Sequence, residues 1–209
     1  MFLTLLIFIM GCSTLNKTTT QVMEDINKKD HMVFQDKLDI ESFYKGQSGT
    51  WNRSLEDGTQ IEIIDFLDEK NNLIFFVTAT LPKPKFYTIL QQYDAKGQIK
   101  RRGKVLGGLA VGEWEIYDEQ GRKSILNEDD KFGKFTYNDV ALFMHNKGHI
   151  DVNTGKNRER LVLSFDEIKN RWNVALKGTP DEDVEYTYIL DGETGKLIKQ
   201  DKGRWTRDD

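Results

Sequence analysis

The 209-residue sequence predicts a β-rich α+β fold, an antiparallel meander of hairpins with one or two helices packed on the sheet. Three observations carry this expectation. Runs of five to nine residues, such as Thr59–Leu67, Leu73–Thr80 and Gly112–Asp118, alternate or are strongly apolar and are rich in Ile, Val, Phe, Tyr and Trp. Short Asp-, Asn- and Gly-containing segments separate them, and such turns join neighbouring strands into hairpins. Near the middle of the chain, one segment has a helical period and carries its own start and stop signals.

The chain begins MFLTLLIFIM, an apolar run broken only by Thr4. Ten residues are too few to span a bilayer, which takes about 20 as a helix, but they match the apolar core of a secretory signal. Ile9-Met10-Gly11-Cys12-Ser13 follows, and this junction resembles the bacterial lipobox. The resemblance implies that residues 1–11 are a signal peptide and that Cys12 is lipidated. It further implies a cell-envelope lipoprotein held in the membrane by acyl chains such as palmitate, since two or more chains anchor stably where one is marginal. No Lys or Arg precedes the run, a departure from the usual signal pattern. Cys12 is the one cysteine, so lipidation would leave neither a free thiol nor a disulfide.

Residues 12–21 read as the lipidated cysteine and a polar, flexible tether. No acidic run follows Cys12, which favours the periplasmic side of the outer membrane over the cell surface. Residues 22–130 then read as an N-terminal segment followed by central antiparallel hairpins. Val22, Ile26, Phe34, Leu38 and Phe43 suggest an amphipathic helix before the first strand.

Beyond that segment the predicted strands are Thr59–Leu67, Leu73–Thr80, Phe86–Tyr93, Gln98–Leu106 and Gly112–Asp118. Pro82 and Pro84 end the second of them. Residues 131–209 read as a helix plus an antiparallel sheet. Thr136 can cap the helix with Asp139 three residues on, Val140, Phe143 and Met144 share a face, and Gly148 can end it. Four strands follow: Arg160–Phe165, Trp172–Leu176, Val184–Leu190 and Lys196–Gln200.

Tyr93-Asp94-x-x-Gly97 recurs 24 residues later as Tyr117-Asp118-x-x-Gly121, with Gly112-Glu113-Trp114-Glu115-Ile116 between them. This pattern, over residues 87–123, resembles the MORN-variant repeats of bacterial antitoxin-like and envelope proteins. It implies hairpins whose aromatics stack on the neighbouring unit, with Trp114 in the core. Trp172-Asn173-Val174 and the stretch Tyr186–Leu197, with its Asp191-Gly192-Glu193-Thr194-Gly195-Lys196 turn, resemble the PepSY-like fold of secreted proteins. That resemblance implies binding or inhibition, often of peptidases, and brings no catalytic set.

Net charge is −4, and all of it comes from residues 178–209, where nine acids face five Lys or Arg. The remainder is balanced, so there is no electrostatic case for nucleic acid. His145 and His149 stand four apart, a spacing that would put two ligands on one helical face, but Gly148 intervenes and no Glu follows His145. A structural or solvated pair is expected there, and His31 has no neighbour in sequence. Glu113 and Glu115 flank Trp114 on one face of a strand. Facing carboxyls suit glycoside hydrolysis, yet the expectation is an exposed polar face. Lys100, Arg101, Arg102 and Lys104 form the basic cluster, alternating across a strand so that no stripe results.

The sequence thus predicts no catalytic residues, no metal and no cofactor, with lipidation at Cys12 as the assigned site. The expected function is a non-catalytic envelope lipoprotein that binds a protein or peptide, as an inhibitor or toxin-immunity factor. The alternatives are a cell-wall hydrolase and a purely structural envelope component.

Overall fold

The computed structural model describes residues 37–38, 50–178 and 184–204. Cys12, the signal segment, the tether and most of the N-terminal helical segment lie outside the described residues. Of the latter, Lys37 bridges Gln98 as β structure and the Leu38 N–H donates to Gly97 O, so this pair is not helical.

Seven strands form one antiparallel meander in chain order. They are β1 (Thr50–Ser54), β2 (Gln60–Leu67), β3 (Leu73–Thr80), β4 (Thr88–Asp94), β5 (Ile99–Leu106), β6 (Leu109–Tyr117) and β7 (Lys123–Asn127). After a 3-10 turn (Glu128–Lys131) comes helix α1 (Tyr137–Asn146). A four-stranded meander follows: β8 (Leu161–Asp166), β9 (Arg171–Leu176), β10 (Val184–Asp191) and β11 (Leu197–Arg204). The β-rich α+β expectation holds, with one α-helix among the described residues. Beyond the strands expected from sequence, the structure adds β1 and β7, and β6 starts at Leu109, ahead of Gly112.

Local chemistry explains the hairpins. Asp68, Asp94 and Asp118 each accept the N–H groups of residues two and four ahead on one carboxylate oxygen, at 2.8–3.0 Å. The residue three ahead has positive φ in each turn: Asn71 (61°), Gly97 (74°) and Gly121 (76°). Asp and Gly at this spacing therefore repeat one turn, tightened by side-chain bonds that replace backbone ones. These N–H groups hold the Asp68 and Asp118 carboxyls below the usual carboxylate range, and at Asp94 burial opposes the shift but the N–H groups together with Lys100 outweigh it.

Helix α1 begins as its sequence dictates. Asp139 N–H donates to the Thr136 hydroxyl while the Asp139 carboxylate accepts the Thr136 N–H, a closed capping box. Val140, Ala141 and Met144 are completely buried against the four-stranded sheet, and Gly148, at φ 75°, follows the last turn. Trp172 centres this core. Its ring is fully buried, tilts against Phe132 and Phe165 at 4.8 and 4.9 Å, and donates its Nε1–H to Phe135 O at 2.8 Å.

The two sheets share that core. Phe86, Leu106 and Val111 join Leu161, Leu163 and Val174 in one buried cluster. At the junction the Leu163 N–H donates to Gly107 O at 2.8 Å, and a Cβ on Gly107 would stand 3.0 Å from Leu161 O. Arg158 clasps the same junction, its guanidinium donating to Lys85 O and Leu81 O. A second cluster, with Ile61, Ile63, Phe75, Val77, Ile89 and Tyr93, lies on one face of the larger sheet.

Candidate functional site

Register sorts the faces of the seven-stranded sheet. Ile63, Val77, Gln91, Arg102, Glu115 and Ile125 are cross-strand partners in one row. The next row, pointing to the opposite face, is Thr50, Ile64, Phe76, Gln92, Arg101, Ile116 and Ser124. The first row belongs to the core side, where Ile63, Val77 and Gln91 are buried. Among the members of the second row none is buried.

That open face carries an aromatic and cationic stripe. Phe66 stacks on Phe76 with centroids 4.9 Å apart and planes within 6°. Arg101 places its guanidinium 6.0 Å from the Phe76 ring and 5.7 Å from the Trp114 ring. Phe66 is 45% exposed, and Leu126, the cross-strand partner of Trp114, is 49% exposed. Phe66 and Phe76 form one uncovered apolar patch on β2 and β3, and Leu126 lies at the far side of the stripe on β7; contiguous exposed apolar patches commonly mark an interaction surface.

Trp114 supports this stripe from beneath. It is buried, as expected, and packs flat on the other strand at Gly103, where an added Cβ would fall 2.2 Å from Cδ2. The β5–β6 register breaks between Arg102 and Lys104, and Gly112 has φ 68° opposite the break. This irregularity brings the indole over a residue that has no side chain.

The remaining candidates separate. Glu113 is exposed, whereas Glu115 is half-buried rather than solvated. Glu115 accepts hydrogen bonds from Arg102 Nε (2.6 Å), the Tyr117 hydroxyl (2.7 Å) and Lys123 Nζ (3.1 Å). Burial opposes its ionisation, but these donors outweigh that and hold the carboxyl below its ordinary range. A carboxylate held ionised in this way is a poor proton donor for glycoside chemistry. In the basic cluster, Lys100 pairs with Asp94 at 3.1 Å, Arg102 with Glu115, and Lys104 lies over Tyr87 at 4.7 Å. Arg101 belongs to the open-face row, and Lys100 is the extra residue where the β4–β5 register shifts.

His145 and His149 do not share a helical face, because α1 ends at Asn146. His145 Nδ1 lies 3.3 Å from Ile150 O and 3.8 Å from an Asp151 oxygen. His149 Nε2 shares a 2.6 Å hydrogen bond with the Tyr188 hydroxyl, and its ring lies 4.4 Å from that of Tyr186. Burial, then the charges of Arg160 and Lys147, lower the His149 pKa. Among the described residues no three His, Cys, Asp or Glu side chains form a group that could hold a metal, and no helix is long and apolar enough to cross a membrane.

Fold and surface together define two antiparallel meanders that share a core through one helix, with an open aromatic face on the larger sheet. No family model, curated protein or solved structure matches the chain. The stripe escaped the sequence reading because Phe66, Phe76, Arg101 and Trp114 come from four strands. The one available signal was the phase of Phe66 and Phe76, each out of step with its strand's buried positions.

Proposed function

We propose that this protein is a non-catalytic cell-envelope lipoprotein, anchored through Cys12, that binds a protein or peptide partner on the open face of its seven-stranded sheet. The observation that carries the reading is the Phe66–Phe76–Arg101–Trp114 stripe, partly exposed and flanked by Leu126. Aromatic and Arg side chains are the residues that most often dominate binding energy at protein interfaces. Their support is the continuous sheet, in which Trp114 is locked onto Gly103 where the β5–β6 register breaks. Residues 1–12 supply the argument for the anchor, and the tether after Cys12, which has no acidic run, that for a place on the periplasmic side of the outer membrane. The resemblances over residues 87–123 and 131–209 favour an inhibitor or immunity role. A purely structural envelope role remains the alternative, and a cell-wall hydrolase is disfavoured by the ion-paired Glu115.

The test compares envelope proteins retained by the full chain with those retained by a Phe66→Ser, Arg101→Ser variant. Both side chains are exposed, so the fold should persist. A partner retained by the parent and lost from the variant supports the reading. Equal retention by both removes the aromatic face from it. The anchor is tested separately: Cys12→Ser should move the chain from the detergent phase to the aqueous phase, and unchanged partitioning would remove the lipid from the account.

A further inference from the structure

The proposed binding face carries one cation at its centre, and no anion meets it. Register places Phe76, Gln92, Arg101 and Ile116 in a row across β3, β4, β5 and β6. Arg101 is exposed, with its guanidinium 6.0 Å from the centre of the Phe76 ring and 5.7 Å from that of Trp114. Among the described residues these rings are its partners, and no carboxylate, carbonyl or hydroxyl accepts a hydrogen bond from it. Its neighbours on β5 differ: Lys100 meets Asp94 at 3.1 Å and Arg102 meets Glu115.

Register also identifies the acids of this face. Among the described strand residues they are Glu62 and Asp94. Asp94 is held by Lys100. Glu62 shares the row of Thr78, Leu90 and Gly103, which puts it three strands from β5. That is about 14 Å at the spacing of paired strands, beyond the roughly 8 Å over which charges act in physiological salt. The Arg101 charge is therefore left to a partner. Stacked against rings, the guanidinium gives up little freedom when its planar fork of N–H groups is engaged. The apolar flanks sharpen the choice: a neutral partner would bury the charge uncompensated, and a cationic one would add repulsion.

We propose that the partner segment seated on this face presents one carboxylate, an Asp or Glu side chain between apolar residues, and that Arg101 receives it as a two-pronged ion pair. One guanidinium balances the single charge of a carboxylate. A phosphate group carries nearly two charges at neutral pH and would call for a second cation, and Lys100 is already held by Asp94. The apolar residues beside the carboxylate follow from the stripe itself, with the Phe66–Phe76 stack on one side of Arg101 and Leu126 on the other. Covering these side chains excludes water from the ion pair, which strengthens it. This inference rests on the binding reading above and narrows the partner to an acidic, apolar-flanked segment, with Arg101 as the residue that selects it.

Fluorescence anisotropy with two dye-labelled, end-blocked peptides tests this on the full chain in detergent. One peptide carries a central Glu between two Phe residues, and the other carries Gln in its place. The parent should bind the Glu peptide about tenfold or more tightly than the Gln peptide, the range for hydrogen bonds to a charged group. Arg101→Gln should erase that preference while still binding the Gln peptide, and Phe66→Ser should weaken both. Equal binding of the two peptides by the parent, weakened in Phe66→Ser, overturns the carboxylate inference and leaves the aromatic face standing. A Glu preference that survives Arg101→Gln also overturns it, as does a phosphoserine peptide that binds more tightly than the Glu peptide. Failure of both peptides to bind overturns it too, and the retention comparison above then decides separately whether the face reading falls.

Discussion

Replacing Gly103 with Ala should unfold much of what Trp114 supports, and should do so only while the indole is present. A methyl at position 103 would meet Trp114 at 2.2, 2.3 and 2.4 Å from Cδ2, Cε2 and Cγ. Ordinary contact is about 3.5–4.0 Å, so the ring must retreat by more than 1 Å. It is 3% exposed and packed between β5 and the Arg101 guanidinium, and has nowhere to go. The cost therefore approaches that of losing the buried indole, about 3–5 kcal/mol. Trp114→Ala alone should cost the same amount. In the double variant the methyl enters space the indole has left, and Gly103 lacks the positive φ that would penalise alanine. There, Gly103→Ala should be neutral or stabilise by up to about 1 kcal/mol. Urea unfolding of the four proteins, followed by far-UV circular dichroism, measures the cycle. Expected is a coupling of roughly 3 kcal/mol. Additive losses, or a Trp114→Ala protein with an unchanged midpoint, would refute the packing argument.

Two further perturbations probe the junction and the helix end. Gly107→Ala should cost about 1–3 kcal/mol, combining left-handed strain with crowding at Leu161 O and Leu163 Cγ. Gly108→Ala has positive φ but open space around it and should cost the strain alone; equal losses would show that the sheets are not locked there. Lowering pH should weaken the fold in two stages. The His149 pKa is depressed in the folded state, so its contribution is present above about 6.5 and is lost as pH falls toward the folded value. Glu115, also depressed, adds its loss below its ordinary 4.5. Urea midpoints at pH 7.5, 5.5 and 3.5 should fall in order, and His149→Phe should flatten the first step while leaving the second. A first step unchanged in His149→Phe would assign it elsewhere.

How much was legible in the sequence follows from the range of each interaction. The hairpin turns were readable because Asp94 and Gly97, or Asp118 and Gly121, complete their hydrogen bonds within five residues. The turn at Asp68–Asn72 was readable as well, but not as a third copy of the same turn, because Asn71 takes the left-handed position that Gly holds in the others. Helix α1 was readable through Thr136, Asp139 and Gly148, again a local code. Strand β7 was not: Lys-Ser-Ile-Leu-Asn has no alternation, and only pairing with β6 makes it extended. The pairing of His145 with His149 depended on a helix continuing past Asn146, which Gly148 stops.

The sequence by itself determined the strand-rich class, the turns, the capped helix and the burial of Trp114, because period, turn chemistry and capping act over a few residues. Only tertiary structure decided which faces stay open. Phe66, Phe76 and Arg101 meet through the registers of four separate strands, two of them irregular near Lys100 and Gly103, and such register shifts move a side chain from one face to the other. Glu115 likewise is held ionised by Tyr117 on its own strand and by Arg102 and Lys123 on the strands at either side. These partners are set by pairing across the sheet, which no stretch of chain encodes alone.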